Sequence, residues 1–361
     1  MRRAAALIVG GGPAGSAAAF ALGQAGARAL LMERTRETGD ALCGGFISWR
    51  TLETLARLGV GADELNRDRV TRVRLFARGR RAETPLPRPA LAVSRRRLDT
   101  ILLARAAGYA GVERGVTARV AEGNALRFAD GATLAADALF LATGKHELRG
   151  LARPTAGGDP ALGLRVRLGP HPSLDRILAD AIELHLFPRG YAGLVRQEDG
   201  SANLCLAVRR SRLAEAGTPA ALLDALGRDH PALGERLAFA DGRTSIDAVA
   251  NVPYGWRARE GASGLFRLGD QAGVIPSLAG EGMGIAVASG VAAAAAYLRG
   301  GPAAGLSWQP AFARALRRPI GVAGLVRDMA ESRASGAMLA LASPRLIRMV
   351  AHLTRIGRAS P

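Results

Sequence analysis

Apolar positions in the first third of the chain come in short runs that end in glycine or an acid. Ala5–Val9 is a continuous apolar run closed by Gly10-Gly11-Gly12, the pattern of a strand buried on both faces. Pro13–Gln24 is Ala-rich with no breaker before Gly23 and predicts a helix with proline in its first turn. Arg28–Glu33 predicts a second strand ending in an acid, which completes a βαβ unit. Leu52, Leu55 and Leu58 fall at helical spacing and predict a helix over Ser48–Leu58. Val70–Phe76 alternates, with Val73 and Leu75 on one side, and predicts a strand of a different sheet. Pro85-Leu86-Pro87-Arg88-Pro89 reads as a loop.

Farther along, Arg97–Ala107 predicts a helix and Ala138–Ala142 a strand. From Leu162 to Arg210 the pattern becomes a meander, with strands Ile182–Phe187, Tyr191–Gln197 and Asn203–Arg209 joined by turns at Pro188-Arg189-Gly190 and Glu198-Asp199-Gly200. Short helices follow around Ala220–Leu226 and Ala232–Leu237. Gly264–Gly269 predicts a final strand, leading through a glycine-rich turn into a helix over Gly282–Leu298 and then Arg-rich helices. No internal repeat is visible.

Composition narrows the class. Hydrophobic residues make up 48% and charged residues 22%, too much apolar material for a disordered chain. Two cysteines exclude a disulfide scaffold, Cys43 and Cys205 are an unpromising pair, and no His- or Cys-rich spacing suggests a metal. The basic start Met1-Arg2-Arg3 resembles a signal peptide, but glycines interrupt the apolar run too early, and Ile285–Leu298 is short of a bilayer span. A cytoplasmic protein is expected. The formal net charge of +18, carried by arginine except for Lys145, raises nucleic acid, anionic membrane or phosphate-bearing ligands as partners. No recognition-helix, zinc or aromatic RNA motif accompanies it, and aromatics are only 4%, so no nucleic acid is expected.

Three motifs carry chemistry. Gly10-x-Gly12-x-x-Gly15 lies between strand and helix, where glycines let backbone N–H groups approach a pyrophosphate, and Glu33 follows at a spacing suited to ribose hydroxyls. Leu139–Leu141 ends in Ala142-Thr143-Gly144, an apolar strand closing on a small-residue turn. Leu268-Gly269-Asp270 is followed by Pro276 and by Gly280-Glu281-Gly282-Met283-Gly284, an acid at a strand end before paired glycines at a helix start.

In that order and spacing the motifs resemble the FAD-dependent oxidoreductases of the para-hydroxybenzoate-hydroxylase-like superfamily, especially its geranylgeranyl-reductase and monooxygenase branch. Cys43-Gly44-Gly45 and Ser94-Arg95 ahead of Leu98-Asp99 are further anchors, and the likeness runs from about residue 4 to residue 300. The resemblance implies an α/β fold: a Rossmann-like FAD-binding domain (1–70, 90–150 and 260–300), an inserted antiparallel β-sheet substrate domain (71–89 and 151–259), and a helical C-terminus (301–361). It implies that Gly10, Gly12, Pro13, Ala14 and Gly15 hold the pyrophosphate of FAD, with Glu33 on the adenosine ribose and Arg34 flanking it. Arg95 would neutralise phosphates, and Asp270 would bind ribityl and pyrophosphate oxygens. Gly282 and Met283 would meet the pyrimidine end of the flavin, Ala142, Thr143 and Gly144 would close the nucleotide site, and Cys43, Gly44, Pro276 and Gly280 would also bind the cofactor. The Asp-Gly pair of the aromatic hydroxylases is replaced by Gly144-Lys145-His146-Glu147-Leu148-Arg149-Gly150, which puts the mode of NAD(P)H use in question.

Catalytic candidates are few. Cys43 lies near the isoalloxazine by resemblance, or is a small residue packed beside glycines. His185, on a strand face with Glu183 and Phe187, is a candidate base or proton donor if that polar face lines the pocket, or is a solvent-facing or satisfied histidine. Tyr191 and Tyr254 are candidates to bond substrate or simply pack, and Lys145 and His146 to meet cofactor phosphates or solvent. The expected activity is FAD-dependent oxidation or reduction of a hydrophobic small molecule. NAD(P)H would be a transient reductant. The favoured reaction is monooxygenation of an aromatic or polyketide/isoprenoid-like compound, and the alternative is C=C reduction. Leu346, Ile347, Met349, Val350, Leu353 and Ile356, with Arg345, Arg348, Arg355 and Arg358 around them, form a stripe that either rests on anionic lipid or packs on the domain.

Overall fold

The first strand, β1 (Arg2–Val9), and the helix after it, α1 (Pro13–Gln24), start a nucleotide-type α/β unit. The computed structural model describes residues 2–123, 125–154, 157–240 and 245–357. The chain continues through β2 (Ala29–Glu33), β3 (Phe46–Ile47), α2 (Trp49–Arg57), α3 (Ala62–Leu65), β4 (Val70–Ala77), β5 (Arg80–Ala92) and α4 (Arg95–Ala107). Strands β6 (Gly111–Arg114), β7 (Ala118–Glu122), β8 (Ala125–Phe128), β9 (Thr133–Leu141) and β10 (Ala161–Leu168) follow, then α5 (Pro172–Leu178). The meander is β11 (Ala181–Phe187), β12 (Gly190–Arg196) and β13 (Ala202–Arg209). Next come α6 (Arg210–Ala216), α7 (Pro219–Asp229), α8 (Pro231–Leu237), β14 (Ile246–Val252) and β15 (Leu265–Arg267). The last helices are α9 (Gly282–Gly300), α10 (Gly305–Ala315), α11 (Arg317–Ala330), α12 (Ser335–Leu341) and α13 (Pro344–Leu353).

The strands form two sheets. In the first, β6, β2, β1, β9 and β15 run parallel, with β8 and β7 added antiparallel on β9. Helices α1, α4 and α9 pack on it around Ile8, Phe140, Phe266 and a run of small alanines. The approach of α1 to α9 is close because Gly290 has no side chain: a Cβ there would lie 2.3 Å from the Ala14 carbonyl. Thus the apolar stretch Ile285–Leu298 is largely a core element of this layer, with Ala293 and Ala294 fully buried.

The second sheet has eight strands in the order β14-β10-β13-β12-β11-β4-β5-β3. It is antiparallel except where β11 runs parallel to β4, since that pair is joined by a long excursion through the first sheet. Its back is covered by α5, α7 and α8 through Leu174, Leu178, Leu222, Leu226 and Leu233. Its front meets α11 and α12 through Ala330 and Leu339.

The Pro85–Pro89 segment is strand, not the loop its prolines suggest. β5 runs through it near the sheet edge, where the register slips between Val70↔Ala90 and Arg72↔Pro85. An irregularity next to an edge accommodates residues that lack an N–H donor.

Candidate active site

A cavity of about 1190 Å³ runs between the two sheets. Its polar end is built on the turn from β1 to α1. Gly10 has φ +106°, and a Cβ on it would lie 2.4 Å from the Ala142 carbonyl, so the first glycine is required by the fold itself. Gly12 is open on the cavity side, where only an Arg95 guanidinium nitrogen stands within reach. Glu33 ends β2 and accepts from Gly11 N at 2.7 Å and from the Thr35 N–H and hydroxyl at 2.9 and 2.8 Å. Arg95, at the start of α4, is held by two bonds to Asp99 at 2.8 and 2.7 Å. Burial alone would lower its pKa, but the Asp99 carboxylate outweighs this and raises it.

Most sequence candidates meet on this wall: Gly10, Gly12, Pro13, Ala14, Glu33, Arg34, Cys43, Gly44 and Arg95 from the first part of the chain, then Ala142, Thr143, Gly144, Asp270, Gly280, Gly282 and Met283. Gly15 and Pro276 do not line the cavity. Gly15 packs behind it, where a Cβ would sit 1.9 Å from the Gly10 carbonyl. A side chain at Gly44, Gly144 or Gly282 would meet nothing within 4 Å, so three cradle glycines border open space. Asp270 has no hydrogen-bonded partner for its carboxylate among the described residues; its backbone carbonyl accepts from Arg153 at 2.9 Å. Those features fit FAD: N–H donors and an arginine for a diphosphate, an acid for each sugar portion, and a glycine floor for a flat ring.

Arg34 lies 2.7 Å from the His146 Nε2, and Lys145 donates to the Leu42 carbonyl at 2.6 Å. Both Lys145 and His146 line the cavity. Burial first, and then Arg34, lower the His146 pKa. Gln271 bonds the Gly144 and His146 carbonyls at 3.0 and 3.1 Å and so staples the segment that replaces the Asp-Gly motif.

The loop carrying Cys43 is tied to the second sheet. Arg165 bonds the Asp40 carboxylate and carbonyl at 3.0 and 2.8 Å, and Asn203 donates to the Cys43 carbonyl at 2.8 Å. Cys43 and Cys205 are free thiols, and Cys205 donates to the Cys43 carbonyl at 3.1 Å. Burial, and secondarily Cys43, pushes the Cys205 pKa up to about 12.

Beyond the flavin end the cavity becomes an apolar chamber. Val73, Leu75, Ile182, Leu184 and Val195 of the sheet face Met338, Ile347 and Val350 of the C-terminal helices. Tyr191 and Tyr254 also line it, and their hydroxyls meet Ser277 at 2.7 and 2.9 Å; Leu278 N donates to the Tyr191 oxygen at 3.2 Å. Burial raises the pKa of both phenols, so both are neutral at physiological pH.

His185 is not in the chamber. The pleat puts Ile182 and Leu184 on the wall and turns Glu183 and His185 to the back of the sheet. There Glu183, fully buried, accepts from Arg74 at 2.5 Å and from Arg236 at 2.9 and 3.0 Å, with His185 Nε2 at 3.3 Å. His185 stacks on Phe76 with centroids 4.5 Å apart, and burial lowers its pKa.

Arg355 is one of the arginines around the apolar tail stripe. It is buried, and donates to Glu281 at 2.5 Å and to the Gly280 carbonyl at 3.2 Å, stacked over Trp49 and Phe46. Glu281 also takes bonds from Ser48 and from Ile356 N, at 3.0 and 3.2 Å. The C-terminal segment is therefore pinned to the Gly280–Gly282 turn. The acid between two glycines was the available signal for this contact. Ile347 and Val350 of the stripe face inward and Ile356 is buried, while Arg358 lies outside the described residues.

Comparison with known proteins agrees with the geometry. Residues 3–149 match the FAD binding domain family. Digeranylgeranylglycerophospholipid reductase 2 of Methanopyrus kandleri is 28% identical over 303 residues, covering 77% of this chain and 72% of that protein. The same fold is found in P. aeruginosa PqsL, solved with 2-aminobenzoylacetate (TM-score 0.74, 17% identity, 94% of this chain and 99% of that one). It recurs in a geranylgeranyl bacteriochlorophyll reductase-like protein of Thermoplasma acidophilum (TM-score 0.72, 20% identity, 99% and 94%). With residues 3–149 matched to an FAD binding domain and the cradle in place, the chain is similar to the FAD-dependent oxidoreductases.

Proposed function

We propose that the protein is an NAD(P)H-consuming FAD monooxygenase acting on a hydrophobic aromatic or polyketide/isoprenoid-like molecule. The observation that carries the reading is the continuity of the cradle with an apolar chamber lined in part by α11–α13. Bound FAD would supply the redox chemistry, taking electrons from NAD(P)H and passing them to oxygen and substrate. The chain supplies the rest. Gly10–Ala14 and Arg95 would hold the diphosphate, Glu33 the ribose, with Arg34 flanking the adenosine, and Asp270 the ribityl chain. The start of α9 at Gly282-Met283 would favour negative charge at the pyrimidine end. The chamber walls exclude water. Tyr191, kept neutral by burial, would orient a substrate oxygen by donating a hydrogen bond rather than by charge, while Tyr254 donates to Ser277 beside it.

A second reading is reduction of a C=C bond. It is favoured by the similarity to the M. kandleri reductase, and by the chamber chemistry: among the described residues the eight-stranded sheet puts no carboxylate, imidazole or guanidinium on the wall. The two readings separate on oxygen. The purified yellow protein is expected to consume O₂ with substrate and NAD(P)H and to add one oxygen atom to product. Turnover under argon that adds two hydrogens instead would overturn the monooxygenase reading in favour of the reductase.

A further inference from the structure

We propose that the mouth of the apolar chamber, built by α11–α13, docks on an anionic lipid bilayer. Five large apolar side chains are exposed within one short stretch: Leu325 (68%), Met329 (48%), Leu341 (81%), Leu346 (42%) and Met349 (51%). Elsewhere among the described residues only Tyr109, Leu298 and Leu306 are comparably exposed. Large apolar side chains exposed on consecutive helices, with α12 and α13 each packed on α11, mark an interaction surface, whereas scattered single residues do not. Met329 and Leu346 also line the chamber, so the patch and the cavity are continuous.

The charge around the patch selects the partner. From Ser332 to the end of the sequence there is no Asp or Glu. Arg333, Arg345 and Arg348 are exposed and form no ion pair among the described residues. The preceding acids are engaged: Asp328 with Arg327, and Glu331 with Arg209. Exposed apolar side chains among unpaired arginines match the interface of a bilayer bearing anionic headgroups. A second copy of this chain fits poorly, because a two-fold contact through the patch would bring the same arginines against one another. Helix α13 is already formed, capped by Ser343 and held at its end by the Arg355–Glu281 pair, so docking requires no folding step. That the docked mouth loads an apolar substrate into the chamber rests on the functional reading above; the docking itself does not.

The test is co-sedimentation of the FAD-loaded full chain with vesicles of phosphatidylcholine alone or mixed with phosphatidylglycerol. Point variants serve better than truncation, which would remove Arg355. We expect binding to the mixed vesicles about tenfold tighter than to neutral ones, weakening as salt is raised. Leu341→Gln with Met349→Gln, and separately Arg345→Gln with Arg348→Gln, should each reduce it several-fold while FAD absorbance and turnover of a detergent-dispersed substrate stay unchanged, since none of the four lines the chamber. Equal binding to both vesicle types, variants that bind like the parent, or a concentration-dependent dimer abolished by the same substitutions would overturn the proposal. If a variant failed to retain FAD, the parent's salt titration would decide: salt-insensitive binding overturns it. A protein that sediments with vesicles yet shows no redox turnover would refute the functional reading and leave docking intact.

Discussion

Strand β11 has two faces with opposite chemistry, one sealed and the other half-buried against the cavity. Its back holds Glu183 and His185 in a sealed ionic cluster with Arg74 and Arg236. Its front holds Ile182 and Leu184 on the wall of the chamber. Adjacent residues are thus committed to different tasks by the pleat alone. The ionisable groups that look reactive stabilise the sheet, and the plain aliphatic side chains shape the reactive space. Breaking the back should therefore cost stability, and altering the front should cost activity. The largest expected effect is at Glu183. Replacing it by Ala removes the buried acceptor that Arg74 and Arg236 share, leaving them only Glu83 and Glu235 as carboxylate partners, and should destabilise the fold by about 3 kcal/mol, measured by urea unfolding of the FAD-loaded protein. An unchanged midpoint would show that the cluster contributes nothing net.

Acid offers a gentler route to the same face. Burial alone would raise the Glu183 pKa, but its hydrogen bonds to His185 and Arg236 hold it down to about 2. Glu83, bonded to Arg81 and Arg74, is likewise held at about 2. A carboxylate whose pKa is depressed by folding adds stability in full above its unfolded value of 4.5, and that stability drains away as pH falls toward 2. Thermal midpoints should therefore drop steadily below pH 4.5, and the slope should flatten in Glu183→Ala. An equal slope in both proteins would assign the acid sensitivity to other carboxylates.

On the front, Tyr191→Phe removes the hydroxyl that meets Ser277 and Leu278 N while keeping the ring. Stability should fall by about 1 kcal/mol, the usual net value of such a bond. If the hydroxyl orients substrate, kcat/KM should fall about tenfold, equivalent to ~1.4 kcal/mol of lost transition-state stabilisation. A loss of stability with unchanged kinetics would reduce the cluster to a strut between sheet and turn.

The contrast also explains what could be read in advance. The cradle was legible because its requirements are local: glycines where backbone meets backbone, an acid ending β2, a proline opening α1. The meander was legible from alternation and turns. Which face of β11 looks at the chamber was not legible, since alternation yields two faces and the covering helices α7 and α11 come much later in the chain. The tail stripe was legible only in part, for a related reason. Its apolar residues are divided among the chamber wall, the core and solvent, and Arg355 finds a partner 74 residues away. The prolines of β5 obscured a strand because the sheet edge and a register slip relax the demand for N–H donors.

The smallest expected effect tests the comparison most directly. His185 has the residue type of a catalytic base, yet burial lowers its pKa and its contacts are Phe76 and Glu183 behind the sheet. Removing it with His185→Gln keeps a polar side chain near Glu183 and leaves the chamber wall intact. Steady-state kcat/KM measured across pH 6–8 should stay within about twofold of the parent, while the stability of the variant falls through loss of the stacked ring. A much larger drop in kcat with the unfolding midpoint preserved would mean that the back of the sheet communicates with the flavin. The division between a stabilising face and a reacting face would then be wrong at the one ionisable residue on the strand whose type suits proton transfer near neutral pH.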